Sequence, residues 1–300
     1  MINSFRFKIM FPAICLLFLS CIQIHAELRT VTTLADTNEG ACDAHCSLRE
    51  AVAVANDGDT IIFERSLRGG TIQLEETLVI EKTLKIDGPN RQRITLSGNG
   101  TFRILYITSL SGTGPWKDVW LDGLIIRGGA ALNEHGGGIY LLGGRILTLT
   151  DCVVTKNHAA FGGGIQVANG VLYLFDSTIS DNTSDGTDGA AGIDALYAPG
   201  LHIVNSTVAG NIAADGAGGI KSQPERLLLL NSTVSGNISK GNGLGRVGGI
   251  FTYNSGNLTF NNSIIAGNIG ETPDVLLWSS SGSSNLIGIG EGSRFPDGVA

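Results

Sequence analysis

The stretch Asp181-Asn182-Thr183-Ser184-Asp185-Gly186-Thr187-Asp188-Gly189 carries three carboxylates, and Asp194 follows closely. Hard oxygen ligands on a glycine-rich loop can hold Ca²⁺, so Asp181, Asp185, Asp188 and Asp194 are the candidate calcium ligands. Arg127, Lys156 and Asp181 each stand five positions after a recurring acidic residue. A base such as Arg127 or Lys156 beside a Ca²⁺-bound uronate is the chemistry of a polysaccharide lyase, so these three are the candidate catalytic residues. The plain reading of the same residues is a solvated loop whose surface ion pairs contribute little. Glu134-His135 puts an acid next to an imidazole, an arrangement that can do acid–base work but reads first as an exposed loop pair. A glycoside hydrolase needs carboxylates at fixed separation across a sugar. The chain has no Asp-Asp pair and no Gly-His-Gly phrase that would suggest an inverting arrangement.

The second class of chemistry is binding. Tyr140, Gln166, Asp194, Lys221 and Phe251 each follow an inward isoleucine, so they are expected to point outward from the same face. Tyr173, Phe175 and Tyr197 are further outward candidates. Aromatic and amide groups on a long face suit a polysaccharide or cell-surface glycan.

These residues are positioned by a repeat. WLDGLIIRGG, LTDCVVTKNH, LFDSTISDNT, VNSTVAGNI, LNSTVSGNI and NNSIIAGNI recur at intervals of roughly 25 to 31 residues, the size of one supersecondary unit in a stacked fold. Aligned on Asp122, Asp151, Asp176, Asn205, Asn231 and Asn262, they give columns. Ile125, Val154, Ile179, Val208, Val234 and Ile265 stand three after the anchor. Trp120, Leu149, Leu174, Ile203, Leu229 and Phe260 stand two before it, and the position four before it is leucine except at Asp118. Alternation on either side of the anchor predicts two strands with one buried face each, joined by a bend that Asn and Asp favour. A Gly-Gly-Ile phrase supplies a third strand, with Ile139, Ile165, Ile193, Ile220 and Ile250 inward. Three short strands per repeat predict an all-β fold, a right-handed parallel β-helix solenoid. Six after the anchor stand Gly128, Asn157, Asn182, Asn211, Asn237 and Asn268. The five amides Asn157, Asn182, Asn211, Asn237 and Asn268 are expected to form a ladder along the stack.

Residues 1–26 read as a signal peptide: Arg6 and Lys8, then an apolar run, then Ile24-His25-Ala26 for cleavage. Acylation at Cys21 is a second reading, with Phe18 a poor fit three residues before it. An exported chain retains Cys42, Cys46 and Cys152. Cys42 and Cys46 are expected to close a disulfide loop, and Cys152, in a small-residue column, to be a buried inert thiol. Ser47-Leu48-Arg49-Glu50 is a capping box that starts an amphipathic helix, expected to cover the first rung of the stack.

Cys46-Ser47-Leu48-Arg49-Glu50-Ala51, followed by Ala55-Asn56 and Asp59-Thr60-Ile61-Ile62-Phe63, resembles the N-terminal module named for its CSLREA signature. The Asn-Ser-Thr-Val-Ser-Gly-Asn and Gly-Gly-Gly-Ile phrases are similar to the repeats that follow that module in secreted bacterial β-helix proteins of the pectate-lyase-like superfamily. The resemblance spans residues 30 to 290. It implies the fold and residence outside the cell or on its surface, and assigns no activity.

The expected organisation is signal peptide 1–26, N-terminal cap 27–63, β-helix 64–284 and a tail 285–300 that is truncated, wraps the last rung, or leaves that rung to a partner. Charged residues are only 16% and the net charge is −7, which favours neither nucleic acid nor an anionic membrane as partner. Membrane attachment would come only through the signal peptide or an anchor beyond this chain. The fold requires no cofactor; Ca²⁺ is the ion the acidic loop would take. The leading expectation is a secreted or cell-surface scaffold for adhesion or glycan binding. The competing one is a polysaccharide lyase or hydrolase centred on the 181–194 loop.

Overall fold

The computed structural model describes residues 26–89, 91–108, 117–223, 226–242, 245–253, 257–277 and 280–288. The stretch before Ala26 that is expected to be a signal peptide, Cys21 within it, and the tail from 289 onward lie outside the described residues. All strand pairs among the described residues are parallel, and each strand pairs with the equivalent strands of neighbouring repeats. This is a solenoid with three main faces: a ten-stranded sheet from Leu28–Val31 to Ser281–Ser283, a nine-stranded sheet from Thr71–Gln73 to Leu286–Ile287, and an eight-stranded sheet from Leu78–Ile80 to Val275–Leu276. A five-stranded sheet from Ala130–His135 to Ile238–Ser239 turns the corner between the nine- and eight-stranded faces.

The apolar columns fill the interior. Ile139, Ile165, Ile193, Ile220 and Ile250 pair rung on rung and are fully buried. Leu149, Leu174, Ile203, Leu229 and Phe260 do the same on the ten-stranded face. No single rung can bury its own side chains, so each contributes its roughly 1.5–3 kcal/mol only through its neighbours.

The first repeat is registered one residue later than its Asp122 anchor suggests. Asp122 pairs with Thr150, and the bend that Asp151, Asp176, Asn205, Asn231 and Asn262 make with φ between 48° and 51° is made by Gly123 at φ 60°. The physical requirement is a left-handed residue, which glycine meets without a side-chain oxygen. Val119, Leu121 and Ile126 therefore point inward, while Trp120 is 37% exposed and Ile125 partly so.

The ladder follows the same register. Nδ2 of Asn157, Asn182, Asn211 and Asn237 donates to Oδ1 of the next asparagine at 3.0, 2.9, 2.8 and 2.9 Å. The last, Asn268, donates to the carboxylate of Asp274 at 2.8 Å, and the first accepts from the backbone of Gly129 at 2.8 Å. Each Nδ2 also donates to a backbone carbonyl of the preceding rung. These amides are buried with every donor used. Ser177, Ser206, Ser232 and Ser263 form a second ladder, each hydroxyl accepting the backbone N–H of the rung before. Cys152 heads that column, and burial pushes its thiol up to about 12, which makes it inert.

At the N-terminal end, Leu48–Val54 forms α1 behind a complete Ser47–Glu50 capping box. Cys42 and Cys46 form a disulfide. Leu48 and Ala51 join the same apolar core as Val31 and Ile61 of the first strands. Arg49 grips Asp36 through two nitrogens at 3.0 and 2.6 Å and donates to the carbonyls of Glu76 and Thr77. Glu50 takes the backbone N–H groups of Ser47 and Glu39, which hold its carboxyl below the ordinary range. Cys46 through Ala51 thus each have a structural contact or a core position.

Candidate functional site

The outer face of the eight-stranded sheet collects most of the unusual chemistry. Its outward column runs Tyr106, Tyr140, Gln166, Asp194, Lys221 and Phe251 in register across consecutive rungs. The expected long flat face is not what forms. Tyr106 and Tyr140 are partly exposed, but Gln166, Asp194, Lys221 and Phe251 are between 0% and 7% exposed. The short strands Gly189–Ala190 and Gly216–Ala217 lay an extra layer near them, and Ala190, Ala217, Val247 and Phe251 make a small second core.

Inside that layer Gln166 and Asp194 have no partner at hydrogen-bonding geometry for any side-chain polar atom. Burial pushes Asp194 up to about 7, against the opposing pull of the Lys221 ammonium and the nearby Ala190 backbone. Lys221 donates to the Asp188 carbonyl, pairs with the Asp188 carboxylate at 3.1 Å and lies 5.2 Å from the centre of the Tyr253 ring. The Tyr253 hydroxyl donates its one proton to the Asp188 carboxylate, whose oxygens lie 2.8 and 2.6 Å away, and burial together with that acceptor raises its pKa.

The four acidic-loop carboxylates do not converge: only Asp188 and Asp194 lie near each other, around Lys221. Asp181 receives Ser180 at 3.3 Å and Thr155 at 3.5 Å. Asp185 meets His158, Asp188 meets Tyr253 and Lys221, and Asp194 is sealed beneath. Among the described residues no three His, Cys, Asp or Glu side chains gather as a metal site would. Arg127 aligns with Thr155 rather than with Lys156, a consequence of the shifted first repeat. Lys156 and Asp181 share the turn position that is glycine at Gly128, Gly210, Gly236 and Gly267, all at positive φ. Arg127, Lys156 and Asp181 are exposed on the corner, apart from the Asp188–Lys221 cluster by their contacts.

The open end of the column is built differently. The Tyr106 and Tyr140 rings stack at 5.4 Å, His135 lies against Tyr140 and Phe161 at 5.4 and 5.1 Å, and the Arg103 guanidinium sits 5.5 and 5.1 Å from the two tyrosine rings. Burial, then Arg103, lowers the His135 pKa, so its ring is neutral near pH 7. Arg103 reaches Glu134 at 2.9 Å and the His135 carbonyl at 2.7 Å. It also lines a groove of about 330 Å³ with Thr77, Thr101, Phe102, Ala130, Ala131, Leu132 and Glu134. Hydroxyls, a fixed ion pair and apolar side chains share its lining, and Leu132 is 63% exposed. This groove was not foreseen from the repeat, because Phe102 and Arg103 precede the recurring phrases. On the ten-stranded face Tyr173 stacks on His202 at 4.6 Å; Tyr197, in the turn after Ile193–Leu196, stands 70% exposed.

Residues 117–287, more than half of the chain, match the family model described as the right handed beta helix region. A crystal structure of pectate lyase Pel9A is similar at 15% identity and a TM-score of 0.46, covering 88% of this chain and 80% of that one. A search of curated proteins gives no match. With its stacked parallel strands and that match, the chain belongs to the right-handed β-helix family.

Proposed function

We propose that this protein is a secreted or cell-surface glycan-binding scaffold, opened by a CSLREA-type module, that holds a short neutral saccharide segment in the Arg103–Leu132–Glu134 groove. The observation that carries this reading is the groove's chemistry. Leu132 and the partly exposed Phe102 offer apolar surface to the C–H faces of a sugar. Thr77, Thr101 and the Arg103–Glu134 pair offer donors and acceptors to its hydroxyls. Arg103 is already paired with Glu134, and the chain carries −7 overall, so a neutral segment fits better than a polyanion. The test is titration calorimetry against a panel of soluble polysaccharides, with Leu132→Asp as the control. Binding abolished by Leu132→Asp supports the reading; equal binding by the variant, or silence across the panel, overturns it.

A second reading is favoured by one observation, the Asp188–Lys221–Asp194 cluster, where one carboxyl accepts from Tyr253 and Lys221 and the other is pushed to about 7. Carboxyls set apart in this way are the basis of acid–base assignments in glycan-cleaving enzymes. Incubation with uronate-containing polysaccharides, with and without Ca²⁺, read by the absorbance of unsaturated products and by reducing ends, tests it. No product under either condition removes it.

A further inference from the structure

On the corner sheet beside the groove, three side chains form a hydrogen-bonded array. Thr183 Oγ1 lies 2.8 Å from His158 Nδ1, and His158 Nε2 lies 3.2 Å from Asp185 Oδ2. A carboxylate only accepts, so Asp185 places the proton of a neutral imidazole on Nε2. Nδ1 is then the acceptor, and the Thr183 hydroxyl donates to it. An orienting acid, a base and a hydroxyl in this order form the arrangement that activates a nucleophile.

The array is accessible. The His158 and Asp185 side chains are 33% and 52% exposed, and Thr183 is partly exposed. It is also next to the groove. Ala130, which lines the groove, pairs in register with His158, and His158 pairs with Thr183. Residues in parallel register point to the same side, so the hydroxyl lies two rungs, about 10 Å, from the groove wall.

We propose that Thr183, His158 and Asp185 form an esterase site that removes O-acyl groups from the glycan held in the adjacent groove. The choice of a glycan ester rests on the binding reading above; hydrolysis of a small ester does not. Thr183 Oγ1 bonds to the acyl carbon as its proton passes to His158 Nδ1. The acyl-to-sugar C–O bond then breaks, and the sugar oxygen takes that proton. Water adds its hydroxyl to the acyl carbon and gives its proton to Nδ1. Thr183 leaves with that proton, releasing a carboxylic acid and a free sugar hydroxyl. Thr183 and His158 are catalytic residues; Asp185 is a positioning residue that fixes the imidazole tautomer.

The experiment uses the full chain with 4-nitrophenyl acetate and with an O-acetylated polysaccharide. Thr183→Ala and His158→Ala should each lower the rate about 100-fold or more, and Thr183→Ser should restore it. Asp185→Asn should lower the rate and alter the shape of the pH–rate profile. A fluorophosphonate probe should label Thr183, read by peptide mass spectrometry. Wild-type rates in Thr183→Ala, or no turnover of the small ester by a folded wild-type chain, overturn the proposal. Small-ester turnover without polysaccharide binding would leave the esterase standing and sink the groove reading. Binding without any turnover would do the reverse.

Discussion

The asparagine ladder and the outward column of the eight-stranded sheet both bury polar groups, and they differ in how these are satisfied. The Asn157–Asn268 ladder repeats one amide, so every Nδ2 meets one acceptor on the following rung or on Asp274 and one on the preceding rung. The outward column of the eight-stranded sheet is mixed, and its Gln166 and Asp194 side chains, near His135 and the Ala190 backbone, make no bond at hydrogen-bonding geometry. The asparagine ladder and the Gln166–Phe251 stretch of the outward column are both out of water. Repetition turns burial into rigidity in the first, while variety leaves an energetic cost in the second. Groups that lower stability where they stand are where selection for something other than stability shows.

The contrast breaks most sharply at Asn211→Leu. This change strands the backbone N–H and Nδ2 of Asn182 and the Ile179 carbonyl, each bonded to Asn211. We expect a loss on the order of 3–5 kcal/mol, read as a lower urea midpoint. Asp194→Asn should go the other way. Its folded pKa, about 7, lies above the unfolded value near 4, so the folded state holds the extra proton between them. Wild-type stability should therefore fall as pH rises through that window and level above it. The variant should lose this slope and gain on the order of 2 kcal/mol at pH 8. Denaturant midpoints at pH 5 and 8 for both chains decide it; an unchanged slope refutes the buried-acid account. Gln166→Leu should be neutral or stabilising by up to about 1 kcal/mol, because an unpaired amide is exchanged for an apolar group. A clear destabilisation would mean that Gln166 does have a partner in solution. Glu50→Gln, which weakens the helix cap, should cost about 1 kcal/mol at neutral pH. The Glu50 carboxyl is held below its ordinary range, so its contribution is present above pH 4.5 and lost on acidification. The gap between wild type and variant should close in acid.

Much of this was legible in the chain. Inward columns, the bend and the ladder repeat, and what repeats can be aligned. The first repeat was misregistered because Asp122 matched the later anchors by type, whereas the bend requires a left-handed residue and Gly123 supplies it. Asp118, the one charged residue in an apolar column, was the visible warning. Coverage of Gln166 and Asp194 was not legible, since the strands that cover them lie in loops of unequal length. His158 and Thr183 do occupy one column, seven residues after Asp151 and Asp176. Their pairing could have been read from the repeat; the reach of Asp185 could not.

The asparagine ladder has a polarity. Every amide donates toward the C-terminal rungs, so the dipoles align head to tail and their positive end meets the Asp274 carboxylate. A rung inside the series needs only another asparagine on either side, while the last rung needs an anion. The chain should therefore tolerate losing or gaining a whole internal turn. Excision of residues 183–211 would join Asn182 to Ile212 and bring Asn237 onto Asn182, with Asp274 still last. Length is then a property this protein could change by recombination, one rung at a time, without redesigning its interior.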